Sequence, residues 1–160
     1  MQIEMTIKGL MIDPITNMPI IILRDTRGEA VMPIWVGIFE ANAIALELEK
    51  VITPRPMTHD LLRDVIKSLG ASIERIAVTD LKDNTFYALI HMTHNGRKFN
   101  VDARPSDAIA LALRTEAPIF VAQSVLDQAQ TISPDGDESD DKLKKWFEQL
   151  GPDDLGKYKM

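Results

Sequence analysis

The chain has 160 residues, with 24 Asp and Glu against 18 Lys and Arg and a formal net charge of −6. This length suits one domain with a full hydrophobic core. The acidic balance argues against a broad nucleic-acid-binding surface, which needs an excess of cations. The chain contains no cysteine, which excludes disulfides and thiolate metal sites. No apolar run approaches the roughly 18 residues of a membrane helix, so we expect a cytoplasmic protein without a membrane partner.

Three strands followed by a helix are predicted for the first part of the chain. The segments Met5–Ile12, Met18–Arg24 and Ala30–Val36 are rich in Ile, Met and Val and are separated by turn residues. Apolar residues then recur with helical spacing from about Phe39 to Lys50. A second amphipathic helix is predicted to begin with Thr58 as its N-cap.

The same order is predicted again in the second part of the chain, where a helix from about Pro105 to Thr115 follows strands at Ile73–Thr79, Thr85–Met92 and Lys98–Ala103. The sequence also repeats itself, because Ala43–Leu48 returns in similar form as Ala108–Leu113. We therefore predict an α+β fold of two tandem strand-strand-strand-helix repeats, joined by the helix that begins at Thr58.

The remainder of the chain is predicted to complete the domain and to add a tail. A short strand at Pro118–Val121 precedes a brief helix capped by Ser124, so the domain covers residues 1–132. Residues 133–141 contain Pro, Gly, Asp, Glu and Ser without an apolar side chain, which is typical of an acidic linker. Residues 142–160 recover helical spacing at Leu143, Trp146, Phe147 and Leu150, which indicates a C-terminal amphipathic helix followed by a tail.

The segment Ala108–Leu113 is apolar on every side, which is not typical of a surface helix. It is therefore predicted to lie between the sheet and another layer, or against a partner subunit. This feature favours a homo-oligomer.

Two short segments at predicted helix N-termini concentrate polar groups. They are Arg55–Asp60 and Asp102–Asp107, each with an arginine, a hydroxyl and at least one carboxylate. Helix N-termini favour anions such as phosphate, because their N–H groups are unpaired and the helix dipole is positive there. His59 is placed to act as a general acid or base near neutral pH. The candidate catalytic residues are His59, Asp60, Asp102 and Asp107 from these segments, together with Glu40 at the start of the first predicted helix.

These groups would suffice for metal-assisted hydrolysis of a phosphodiester. Arginine binds a phosphodiester in a bidentate manner, and the candidate substrate-binding residues are Arg55, Arg104 and Ser106. Carboxylates can hold a divalent ion such as Mg²⁺ or Mn²⁺ that activates water, and the candidate metal ligands are Asp60, Asp102 and Asp107. The partner of such a site would be nucleic acid.

The same residue types also have ordinary structural roles. Hydroxyl and carboxylate side chains commonly cap helices, and an arginine near two carboxylates commonly forms an ion pair. The alternative hypothesis is therefore a non-catalytic regulatory module that binds a small anion or a protein partner through the same arginines.

Four separated motifs resemble the bacterial bifunctional nuclease domain family over about residues 1–132. They are Met32–Gly37, Glu40–Ala45, Arg55–Leu61 and Val101–Ala110, in the same order along the chain. The resemblance implies an α+β fold, a homo-oligomer such as a dimer or trimer, and nuclease activity on DNA, RNA or both. It also implies that the candidate residues between Glu40 and Asp107 occupy positions of the family motifs.

Overall fold

The computed structural model describes residues 1–28 and 30–129, which form a seven-stranded sheet and four helices. The strands are β1 (Gln2–Ile12), β2 (Pro19–Asp25), β3 (Val31–Trp35), β4 (Ala71–Lys82), β5 (Thr85–His94), β6 (Arg97–Ala103) and β7 (Ile119–Ala122). The helices are α1 (Ile38–Leu48), α2 (Thr58–Ser68), α3 (Pro105–Thr115) and α4 (Gln123–Gln128). This mixed architecture confirms the predicted α+β fold class.

The sheet has the strand order β3-β2-β1-β7-β4-β5-β6. Neighbouring strands run antiparallel except β4 and β7, which run parallel. Strand β7 therefore joins the first three strands of the chain to the next three. Strand β1 begins at Gln2, earlier than predicted, because residues 2–5 pair with β7. Each trio of strands leads into a helix as the repeat predicts, and superposition of the two halves stays a prediction.

Two tight turns connect β4 to β5 and β5 to β6. Asp83 and Asn84 both have positive φ (51° and 60°), as do Asn95 and Gly96 (50° and 76°). Two-residue loops with positive φ at both positions are favoured in β-hairpins because their twist matches that of the strands. Strand β6 is the last strand in the order of the sheet and therefore lies at its edge. It is followed, after Arg104, by α3.

Helix α3 lies between the sheet and two other helices. It contacts β4 and β5 on one side and α1 and α2 on the other. Its residues 108–112 are at most 1% exposed, which explains why this segment is apolar on every side. The predicted second layer is therefore made of helices of the same chain. This burial gives no support to the predicted homo-oligomer, which stays a prediction.

Both predicted N-caps are wrong. Thr58 is the first helical residue of α2 and Met57 is its N-cap. The Met57 N–H is satisfied instead by the Asp60 carboxylate, at 2.9 Å. Ser124 lies inside α4, whose N-cap is Ala122, because β7 runs directly into this helix without a loop.

The predicted acidic linker at 133–141 and the C-terminal helix within 142–160 lie outside the described residues. Among the residues that the structure describes, no helix is long and apolar enough to cross a membrane.

Candidate functional site

The first turns of α1, α2 and α3 meet beside β5 and β6. Glu40 lies in the first turn of α1, His59 in the first turn of α2, and Asp107 in the first turn of α3. Arg104 is the N-cap residue of α3. Hydrogen bonds connect these four side chains into one group, which we call the four-residue cluster. Because helix N-termini carry partial positive charge, this meeting point favours anionic groups.

His59 and Asp107 form a close pair within the cluster. His59 Nε2 lies 2.9 Å from Asp107 Oδ1, and the side chains are 12% and 31% exposed. An ionised carboxylate only accepts hydrogen bonds, so Nε2 carries the proton and donates it to Asp107. In the neutral imidazole, Nδ1 then carries the lone pair. This arrangement fixes the tautomer that a general base requires.

Arg104 connects the two acidic members of the cluster. Its Nε donates to Asp107 Oδ2 at 2.9 Å, and its Nη2 donates to Glu40 Oε1 at 2.7 Å. These hydrogen bonds to Asp107 and then to Glu40 raise the pKa of Arg104 above its ordinary value, although burial opposes the shift. The side chain is 54% exposed. The guanidinium is therefore held in a fixed position while part of it stays accessible.

Glu40 reaches Arg104 by folding back over the start of its own helix. Gly37, the N-cap of α1, lies beneath the Glu40 carboxylate. A Cβ atom at Gly37 would collide with Glu40 Oε2. The absence of a side chain at Gly37 thus leaves the space that the Glu40 carboxylate occupies. This steric requirement connects the motif that ends at Gly37 with the motif that begins at Glu40.

Asp60 is committed to a different interaction. Its Oδ1 accepts from Arg114 Nε at 2.7 Å, and its Oδ2 accepts from the Met57 N–H at 2.9 Å. Burial alone would raise the pKa of Asp60, but the Met57 hydrogen bond and the Arg114 guanidinium outweigh it and lower the pKa. Arg114 also donates to the carbonyls of Ala110 and Ala43, so it links α3 to α1 and α2. Asp60 therefore stabilises the helix layer.

Three further predicted site residues are not part of the cluster, and one of them borders the same cleft. Arg55 is exposed and lines a separate concavity of about 290 Å³ beside Asp60 and Arg63. Ser106 is 1% exposed in the first turn of α3, so a substrate could reach it only if this helix moved. Asp102 is exposed on the edge strand β6 and borders the cleft described next.

An open cleft of about 860 Å³ lies over the cluster. It is lined by residues of α1, the start of α2, β5, β6 and the start of α3. Most lining residues are apolar, namely Phe39, Ala43, Leu46, Met57, Leu62, Ile90, Val101 and Ala103. The volume falls in the range of small-molecule sites. These apolar residues, which we call the apolar wall, line the same cleft as the polar four-residue cluster.

The donor set of the predicted metal ligands does not fit one resident metal ion. Both oxygens of Asp60 accept hydrogen bonds from Arg114 and Met57, and both oxygens of Asp107 accept from the cluster. Among the residues that the structure describes, no three His, Asp or Glu side chains form a group that could hold a metal ion.

Sequence reasoning missed Arg114 and Gly37. Arg114 is the single charged side chain in the otherwise apolar stretch from Ala108 to Arg114. A charge in a helix that is predicted to be buried needs a partner, and this signal points to a nearby carboxylate. Gly37 directly precedes a predicted helix, where glycine is a common N-cap.

Comparisons with known proteins place this chain among its relatives. The bifunctional nuclease domain family matches residues 21–134. An uncharacterised protein of Mycobacterium tuberculosis is 39% identical over 162 aligned residues, which cover 95% of this chain and 97% of that protein.

Plant nucleases are more distant relatives. Bifunctional nuclease 1 of Oryza sativa subsp. indica is 21% identical over 109 residues, which cover 66% of this chain and 33% of the rice protein. Bifunctional nuclease 2 of Arabidopsis thaliana is 27% identical over 93 residues, which cover 56% of this chain and 28% of that protein. The aligned part is thus about a third or less of each plant protein. The family match, which covers more than half of the chain, shows that this chain belongs to the bifunctional nuclease domain family.

Proposed function

We propose that this protein is a nuclease that hydrolyses phosphodiester bonds of DNA, RNA or both at the four-residue cluster. The observation that carries the proposal is the 2.9 Å contact between His59 Nε2 and Asp107 Oδ1, with Arg104 bound to the same carboxylate. The family match and the name of the plant relatives support the choice of nucleic acid as substrate.

His59 is the proposed general base. Its Nδ1 accepts a proton from water while the water oxygen bonds to phosphorus and the bond from phosphorus to the leaving oxygen breaks. Solvent then protonates the leaving oxygen. Asp107 holds the ring and stabilises the imidazolium that forms, as a carboxylate does for other catalytic histidines. General base catalysis typically contributes about 10²- to 10⁴-fold to the rate.

Arg104 is the proposed phosphate-binding group. The Arg104 side chain borders the cleft and is 54% exposed, so it can contact a phosphoryl oxygen while it keeps its hydrogen bonds to Asp107 and Glu40. Fixed cations of this kind stabilise the charge that develops in the transition state. Glu40 and Asp107 both accept hydrogen bonds from the guanidinium and are its positioning residues.

A requirement for Mg²⁺ or Mn²⁺ stays a prediction. Loss of wild-type cleavage in EDTA would support it, and unchanged cleavage in EDTA would contradict it. Wild type, His59→Ala and Arg104→Ala are prepared identically and assayed on DNA and RNA, with and without EDTA. We expect losses of about 10²-fold or more in both variants, with the thermal unfolding midpoint of Arg104→Ala close to wild type. Equal cleavage in all three preparations would show that a contaminant is responsible.

The alternative is a module that binds an anion or a protein and does not cleave. The observation that favours it over cleavage is the engagement of Arg104 by two carboxylates, because they offset the charge that would stabilise a transition state. In that case the same variants would lose ligand binding, while wild type would show no cleavage above a mock preparation.

We also propose a homo-oligomer that acts in the cytoplasm. Helix α2 has no buried residue, and Leu61, Val65 and Leu69 are 57%, 46% and 69% exposed. These three positions are spaced four apart and share one face of the helix. A contiguous apolar face of this kind is typical of a subunit interface. The absence of cysteine is compatible with a reducing compartment.

A further inference from the structure

The charge of the cleft is unusual for a surface that binds duplex nucleic acid. Among its described lining residues, the carboxylates are Glu40, Asp102 and Asp107, and the cation is Arg104. Proteins that bind duplexes gain most of their affinity by neutralising several phosphates with Lys and Arg. This cleft therefore has to obtain affinity from another part of a nucleic acid.

The bases are that other part, because the apolar side chains of the cleft can contact them. Phe39 lies at the rim of the cleft and is 85% exposed, directly beside Glu40 in the chain. Val101 also lines the cleft and is 41% exposed on β6. Phe99, which is 42% exposed, lies two positions before Val101 and therefore on the same face of that strand. An exposed phenyl ring is a stacking surface for a nucleobase.

The position of His59 adds a geometric restriction. The His59 side chain is 12% exposed, so a phosphate has to enter the cleft to reach it. A phosphodiester in an unpaired strand can enter while the neighbouring bases turn toward the apolar wall. In a duplex the bases are stacked and paired inside the helix, so no base face is available to the wall.

We infer that the substrate is single-stranded nucleic acid, held by base stacking on Phe39 and by apolar contacts along the cleft, with one phosphate at Arg104. This inference rests on the proposed nuclease function for its biological meaning. Its binding prediction can be measured separately from cleavage.

The test measures binding in the full-length His59→Gln variant, which lacks the proposed general base and preserves the probe. The probes are a fluorescein-labelled strand of about 12 nucleotides and the same strand annealed to its complement. Fluorescence anisotropy gives the dissociation constants over a series of salt concentrations. We expect the single strand to bind at least about tenfold more tightly than the duplex. The logarithm of the association constant should fall with the logarithm of salt with a slope of about −0.7, as one phosphate contact predicts.

Phe39 variants separate stacking from charge. Phe39→Ala should weaken single-strand binding by about 5- to 150-fold, the range measured for the loss of one base–aromatic stack, and Phe39→Trp should restore it. Ile38→Ala is the matched control, because Ile38 is the adjacent residue, is 67% exposed and does not line the cleft. It should leave binding unchanged.

The binding and cleavage measurements test the single-strand inference and the nuclease proposal separately. Equal affinity for duplex, a steep salt dependence or an unchanged constant in Phe39→Ala would overturn the single-strand inference, even if wild type cleaves nucleic acid. Single-strand binding with the expected Phe39 effect, together with no cleavage above a mock preparation, would leave the binding site in place and overturn the nuclease proposal. Absence of binding to both probes would overturn the inference.

Discussion

His59 Nε2 lies 2.9 Å from Asp107 Oδ1, although 48 positions separate the two residues in the chain. Helix α2 supplies the histidine and α3 supplies the carboxylate, and both helices begin at the same edge of the helix layer. The contact therefore depends on the packing of α2 against α3. Any change that loosens this packing should affect the site even when it lies outside the cleft.

Asp60→Ala should destabilise the protein because it removes the acidic partner of Arg114 at 2.7 Å and leaves Glu47 Oε1 at 4.0 Å. The Arg114 side chain is 1% exposed and that of Asp60 is 15% exposed. Loss of one partner from a buried ion pair typically costs about 3–5 kcal/mol. Urea denaturation followed by circular dichroism measures the change. An unchanged free energy of unfolding would show that Asp60 does not stabilise the helix layer, and a specific loss of activity would then restore it as a site candidate.

Asp13→Asn should destabilise the protein more at neutral than at acid pH. Burial would raise the pKa of Asp13, but Trp35 Nε1, which donates at 2.9 Å, and the backbone N–H groups of Ile15 and Thr16 outweigh it. The folded pKa is therefore below the ordinary value near 3.8. The ionised Asp13 carboxylate therefore stabilises the folded protein above about pH 3.8. This contribution to the free energy of unfolding is lost as the pH falls through the folded pKa of Asp13.

We expect Asp13→Asn to cost about 1.5–3 kcal/mol at neutral pH, the usual range for a hydrogen bond to a charged group. The gap between wild type and variant should narrow below about pH 4. Denaturation at several pH values measures this gap. A gap that stays constant from neutral to acid pH would contradict the assigned role of the carboxylate.

Gly37→Ala should reduce activity by displacing Glu40. The new Cβ occupies the space of the Glu40 carboxylate, so the carboxylate moves and Arg104 loses one of its two supports. A displacement of about 1 Å in a site can reduce kcat/KM by up to about 100-fold. Gly9→Ala is the matched control, because a Cβ there meets no atom within 4 Å. Equal kcat/KM in both variants would refute this positioning role.

Leu61→Glu and Leu69→Glu should dissociate the proposed homo-oligomer. Both residues are exposed on the apolar face of α2, and a buried unpaired carboxylate strongly disfavours an interface. Size-exclusion chromatography with light scattering measures the mass. The wild type should elute as an oligomer and the variants as monomers with an unchanged circular dichroism spectrum. A monomeric wild type at all concentrations would contradict the proposal.

Strands and helices were predictable because their signals are local. Alternating or continuous apolar runs, turn residues and helical spacing all lie within short windows, and β5, β6 and α3 follow them closely. The position of β7 between β1 and β4 was not predictable in this way. It depends on pairing between distant segments, which no short window contains.

The candidate site was predictable by residue type and only partly by geometry. His59 and Asp107 were both candidates, and the structure adds their contact. Arg55 belongs to the same sequence segment as His59, but it precedes the first turn of α2 and lines another concavity. Asp60 follows His59 directly, and helical rotation turns its carboxylate toward Arg114, 54 positions away. Adjacency in sequence therefore did not predict a shared site.

We propose that His59 and Asp107 act together in phosphodiester cleavage. A double-mutant cycle tests this joint action. Wild type, His59→Gln, Asp107→Asn and the double variant are prepared identically and assayed for kcat/KM on a single-stranded substrate. His94→Gln serves as the control for histidine loss. We expect kcat/KM to fall by about 10²-fold or more in each single variant. The double variant should be no worse than the poorer single variant, since the effects of groups that act as a unit are not additive. Losses that multiply in the double variant, or activity in His59→Gln equal to wild type, would contradict the joint action.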